Sequence, residues 1–159
     1  MVINMEVKGM KGTEKQIAFV KKLLEERGLS YEWAEYLSQE FSLSAGWWIE
    51  ELKAIKRNAD PQKVEGFINA RTLESWIRDM DRKANSLYKH KNELFSILPY
   101  AGLMLGLVKR EDIPSVKALV QEALEKLQSA DNYELAKEIA KETAKELEKF
   151  MEKTWGEKR

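Results

Sequence analysis

The chain has 159 residues, enough for one ordinary domain and barely for two, and its 43% apolar and 34% charged residues close a core and exclude wholesale disorder. Its 27 basic and 27 acidic side chains cancel, which excludes the global positive field that draws proteins onto nucleic acid or acidic membranes. The absence of cysteine excludes a disulfide framework, a thiolate metal site and a cysteine nucleophile, and makes a cytoplasmic protein the expectation.

The opening MVINMEVKGMKG has no charged leader followed by an apolar run, so no secretory signal is expected. Residues 1–8 alternate weakly, as a short strand or as an arm. The first clear helix lies in GTEKQIAFVKKLLEERGL. Thr13 and Gln16 have the spacing of a capping box, Ile17, Val20, Leu23 and Leu24 repeat at helical intervals, and Gly28 stands where a left-handed cap belongs. Ser30 caps a second helix to Phe41, with Trp33, Leu37 and Phe41 on one face. A third is expected from about Ser44 to Arg57.

Within that third helix, SAGWWIEELK places two tryptophans side by side. Successive helical residues point about 100° apart, so both cannot share the apolar face. With Ala45, Trp48, Ile49, Leu52 and Ile55 defining that face, Trp48 belongs to the core and Trp47 stands about 135° from its centre. Indole is enriched at binding hot spots, which makes Trp47 the candidate partner-binding residue. The competing expectation is that Trp47 packs under another helix.

Asp60 and Pro61 open a short helix to about Ile68. From Thr72 a 3-to-4 spacing of apolar residues runs to Leu98 and predicts one long helix, interrupted near Asn85 or continuous, that stops before Pro99. Opposite its apolar side, Arg78, Arg82 and Lys89 fall within about 20° of one line, and Arg71 joins them if the helix already includes it. Such a stripe can grip phosphates, with Ser75, Asn85 and Ser86 as neutral neighbours and Tyr88 as the one stacking ring. The alternative is an ordinary solvated face, diluted by Glu74, Asp79, Asp81 and Glu93. Local charge leaves both open: residues 59–110 hold nine basic and six acidic groups, residues 111–159 nine basic and twelve acidic.

LFSILPYAGLMLGLV, residues 94–108, is the most apolar run, but Ser, Pro and two Gly leave it short of the ~20 residues of a spanning helix, so it is expected in the core, with residues 100–108 as a helix or hairpin corner. Its GLMLG, Gly102 to Gly106, points to close helix packing. Pro114 starts a further helix, and Asp131 caps a last one to about Trp155. That last helix alternates Glu and Lys at i, i+3 on its outside and has a small inner face built on Ala136, Ile139, Ala140, Leu147, Phe150 and Met151. Such a face leans on its own core, or else on a second copy or a foreign helix.

Catalytic chemistry finds little footing. His90, the sole histidine, sits between two lysines, a setting for a solvated surface residue. Asp79 and Asp81 are two apart and point to different sides of a helix; Glu50 with Glu51 and Glu111 with Asp112 are adjacent pairs with no third ligand in view. No GxGxxG, GxxxxGK, GxSxG or HExxH occurs. A non-enzymatic protein with no metal or cofactor is expected.

TEKQIAFVKKLLEERG followed by AGWWIEELK resembles a short helical module that recurs in uncharacterised proteins of phages and mobile elements of Gram-positive bacteria. Ala45, Ile49, Leu52 and Lys53 match its second helix; Gly46 replaces a serine, and Trp47 and Trp48 replace a polar and an aliphatic residue. The resemblance covers residues 13–57, about a third of the chain, and carries no catalytic residues. It implies an accessory protein working near DNA or host defence.

The expected fold is all-α, six to eight helices, with an N-terminal three-helix module over residues 1–58 and a larger helical portion over 59–159, as two units or one continuous domain. The expected function is docking on a host protein or nucleoprotein, most concretely inhibition of a bacterial defence nuclease as an anti-CRISPR does. Direct DNA or RNA binding through the basic stripe, and assembly into a homo-oligomer through the C-terminal helix, are the alternatives. No membrane partner is expected.

Overall fold

The computed structural model describes residues 10–84 and 106–152. Among the described residues there are six α-helices: α1 (Glu14–Glu26), α2 (Tyr31–Phe41), α3 (Ala45–Lys53), α4 (Pro61–Ala84), α5 (Ile113–Gln128) and α6 (Tyr133–Glu148). The fold is all-α apart from a two-residue antiparallel pair, β1 (Leu107–Val108) with β2 (Met151–Glu152), in which Val108 faces Met151.

Local chemistry sets most helix ends. Thr13 Oγ1 accepts from the Gln16 N–H at 3.1 Å, and Gln16 Oε1 accepts from the Thr13 N–H at 2.9 Å, so each side chain satisfies the other residue's otherwise orphan N–H. At the other end of α1 the N–H groups of Gly28 and Leu29 return to the carbonyls of Glu25 and Leu24, with Gly28 at φ 75°. That is a Schellman cap, open to glycine because it has no Cβ to clash in the left-handed region. Ser30, Ser44 and Asp60 cap α2, α3 and α4 by accepting from Glu32, Trp47 and Gln62.

Several expected boundaries move. Helix α3 ends at Lys53 rather than Arg57, and the N–H of Ile55 in the turn that follows donates back to the Leu52 carbonyl. The break expected between Ile68 and Thr72 is absent, because α4 runs through it unbroken. Phe67, Ile68, Ala70 and Leu73 are all fully buried there, together with Asn69 and Thr72. A helix covered on several sides loses the one-sided repeat that periodicity detects. The cap of α6 is Asn132 rather than Asp131, its side chain accepting from the Leu135 N–H at 2.8 Å. Helix α6 stops at Glu148, short of Trp155, because Met151 and Glu152 turn into the pairing with β1. The strand or arm expected at residues 1–8, the helix beyond Ala84, and Trp155 lie outside the described residues.

Helix α1 packs on α3, α2 on α4, and α5 on both α4 and α6. One buried cluster runs from Met10 through Trp48, Phe67, Ile77 and Val120 to Leu147. The inner face of α6, Ala136, Ala140, Ala144 and Leu147, is buried in that cluster, with Ile139, Phe150 and Met151 half-buried at its edge. Arg27 fastens the N-terminal part. Its guanidinium is 5% exposed and donates to the Ile55 carbonyl from Nε at 3.1 Å and Nη2 at 2.8 Å, and to the Leu23 carbonyl from Nη1. Burial pushes its pKa down, and neighbouring Glu26 opposes that shift.

Among the described residues no helix is long and apolar enough to cross a membrane. Of the GLMLG glycines, Gly102 lies outside the described residues. Gly106 allows a close approach, though to β2 rather than to a helix: a Cβ there would meet Met151 Sδ at 2.9 Å.

Candidate functional site

The tryptophan pair divides as helix geometry predicts. Trp48 is fully buried, and its Nε1–H donates to Ser38 Oγ on α2 at 2.9 Å. Trp33 of α2 stands against it, ring centroids 5.4 Å apart at 79°. Trp47 meets Trp48 on a further side, at 5.3 Å and 88°. Perpendicular contacts of this kind suit the ring quadrupoles and add to simple area burial. Three indoles thus form a chain from the interior outward, and Trp47 at its outer end is half-buried. It is neither a fully solvated side chain nor part of the interior. Its own N–H is taken by the Ser44 cap, so the backbone that carries the ring is fixed at the helix start.

The basic stripe is brought together only in part. Helical geometry does hold at Arg71, but its guanidinium is turned to carboxylates: Nε donates to Glu51 at 2.9 Å and Nη1 to Glu74. Arg78, 51% exposed, donates from Nη2 to the same Glu74 at 2.8 Å. Glu74 itself is only 2% exposed, a buried anion held between two arginines. Arg82 lies 3.6 Å from Asp79, and Lys83 lies 3.1 Å from the same carboxylate. For Arg71, burial lowers the pKa, but Glu51 and Glu74 outweigh it and the net shift is upward. Lys89, Tyr88 and His90 lie outside the described residues.

Of the acidic pairs considered for a metal, Asp81 is buried and Asp79 is committed to Arg82 and Lys83. Glu51 is committed to Arg71, whereas Glu50 is exposed. Among the described residues no three acidic or imidazole groups converge on a point where an ion would sit.

Two features escape sequence reasoning. The first is the Glu51 contact, which joins α3 to α4 across 20 residues and is invisible in local spacing; the two Glu74 contacts, at i, i+3 and i, i+4, were there to be read. The second is a cleft of about 510 Å³ between the first turns of α4, β1 and the residues after α6, lined by Gly66, Asn69, Leu107, Lys109, Glu111 and Phe150 among others. Asn69 is fully buried there and donates from Nδ2 to the Val108 carbonyl at 2.8 Å, while its Oδ1 finds no hydrogen-bond partner. An amide inside the apolar run Phe67–Ile68–Asn69–Ala70 was the available signal. The cleft's rim carries Lys63, Lys109, Arg110 and Lys149 against Asp60, Glu65, Glu111 and Asp112, so it favours neither sign of ligand.

No family model, no curated protein and no solved structure matches the chain.

Proposed function

We propose that the chain is a non-enzymatic docking protein that uses Trp47 as its anchor on a protein or nucleoprotein target of a bacterial host. The observation that carries this reading is the indole chain. Trp47 is braced at right angles by Trp48, which is itself locked by Trp33 and by a hydrogen bond to Ser38. A large ring held in one orientation before binding loses little entropy when a partner closes over it. The resemblance of residues 13–57 to a phage and mobile-element module supports the setting, and the position of Trp47 is polar in that module. The most concrete form of the proposal is an anti-CRISPR-like inhibitor that covers a nucleic-acid site on a defence nuclease.

The pairing of the stripe weighs against its rival. Arg71 and Arg78 share Glu74, and Arg82 shares Asp79 with Lys83, so little of the positive charge on the described part of α4 is left for phosphates.

The test has two arms. Wild-type chain and Trp47→Ala are used as bait in a Gram-positive lysate containing an active RNA-guided nuclease, and nuclease activity is measured with each added. Capture and inhibition by the wild type, reduced at least tenfold by Trp47→Ala with the fold intact, is the expected result. Equal capture by both proteins overturns the role of Trp47. In the second arm, duplex and single-stranded DNA and RNA are titrated at low salt. A shift that fades steeply with salt and depends on Arg82 overturns the docking reading in favour of direct nucleic-acid binding.

A further inference from the structure

The chemistry around Trp47 also bears on what its partner presents, given that Trp47 is the anchor. On α3 the residues about one turn beyond Trp47 are Glu50 and Glu51, lying about 60° and 40° to either side of it. No cation of α3 lies in that sector. Glu51 is already closed by Arg71. Glu50 is exposed, and among the described residues neither it nor the Trp47 ring meets a cation.

Elsewhere the same pair of groups is satisfied within the fold. Lys117 of α5 lies 4.8 Å from the Phe41 ring and 5.5 Å from the Trp76 ring, and its Nζ is 3.3 Å from Glu40. Arg110 stacks over Tyr36 at 4.1 Å. Where the Phe41 ring and Glu40 stand together on α2, the fold supplies the cation itself. On α3 it supplies one to Glu51 and leaves the ring and Glu50 open.

We infer that Trp47 and Glu50 together receive a cationic side chain, an arginine or lysine projecting from a basic surface of the partner protein. The indole face attracts the cation through its quadrupole, and the carboxylate one turn on neutralises it. Arginine suits this pair best, because a planar guanidinium stacks on a ring and still donates edgewise to a carboxylate. A basic protein surface is also what a nucleic-acid-handling target exposes, so covering it would exclude its substrate.

The experiment uses the full chain labelled with ¹⁵N, with the Trp47 indole N–H signal assigned through Trp47→Phe. The probe is a ten-residue peptide alternating arginine and glycine; the same peptide with glutamate for arginine, and a short DNA duplex, are the comparisons. The arginine peptide should move the Trp47 indole signal ahead of those of Trp33 and Trp48. Glu50→Gln should weaken its binding about two- to five-fold, while Glu25→Gln, a control on an exposed glutamate of α1, should not. An unmoved Trp47 signal, equal weakening by the two glutamate variants, or a response to the glutamate peptide or to DNA that matches the arginine response overturns the inference. Target capture separates it from the docking reading. Capture lost with Trp47→Ala but kept at full strength with Glu50→Lys overturns the cation alone, whereas capture kept with Trp47→Ala removes the anchor.

Discussion

Two adjacent indoles with different jobs make the tightest test of the residue-level reading. Trp48 is fully buried with its N–H satisfied by Ser38, so Trp48→Ala leaves a cavity, orphans the Ser38 hydroxyl and removes the ring that braces Trp47. Truncating a buried large aromatic costs about 3–5 kcal/mol, and urea denaturation followed by circular dichroism should show a loss of that size. Trp47→Ala removes a half-buried ring and one perpendicular ring contact, which is worth about 1–2 kcal/mol. The two substitutions therefore separate by about 1–4 kcal/mol on the same denaturation axis. Equal losses would put Trp47 in the interior and end its candidacy as an anchor. Which indole is buried was legible in the sequence, because it follows from a 100° step and four apolar neighbours. How far the other is covered was not, since that depends on how its ring settles against Trp48 and the assembled core.

Helices announce their starts better than their ends, and the caps show why. Thr13, Ser30, Ser44 and Asp60 each sit at the start of a helix and close it with a side-chain oxygen, so short-range chemistry decides the boundary. Where tertiary contact decides it, the sequence misleads: α4 is buried at residues 67–70, 72 and 73 and continues where a break was expected, and α6 gives way to a strand pairing with residues more than 40 positions earlier. Gly28 is a stop set by its own backbone conformation. Its backbone φ of 75° costs about 1–2 kcal/mol for a residue with a Cβ, and that Cβ would also stand 2.9 Å from Pro61 Cγ at the start of α4. Gly28→Ala should therefore destabilise by somewhat more than the backbone term alone, about 2 kcal/mol, read as a shift of the urea midpoint at unchanged slope. A loss below about 0.5 kcal/mol would mean that the turn relaxes and the Schellman cap matters little.

On the scale of the whole molecule, what remains unpaired matters more than what is present. The stripe expected on α4 was an incomplete reading of charge, because Glu51 arrives from another helix and the buried Glu74 takes up two arginines. The C-terminal helix raises the same issue for apolar surface. Its small inner face made a second copy of the chain a natural partner, yet Ala136, Ala140, Ala144 and Leu147 are already buried in the core shared with α5. Outside it stand Glu and Lys residues such as Glu146 and Lys149, paired along the helix at 3.0 Å and worth only tenths of a kcal/mol to any further contact. The large apolar side chains left exposed on α6 are Tyr133 and Leu135, two single residues rather than the broad patch a stable dimer requires. Multi-angle light scattering at about 50 µM should therefore return the monomer mass of 18.5 kDa, unchanged when Leu135 is replaced by Glu. A mass of twice that value, restored to 18.5 kDa by the same substitution, would show that the exposed flank of α6 joins two copies and would reinstate assembly as the chain's role.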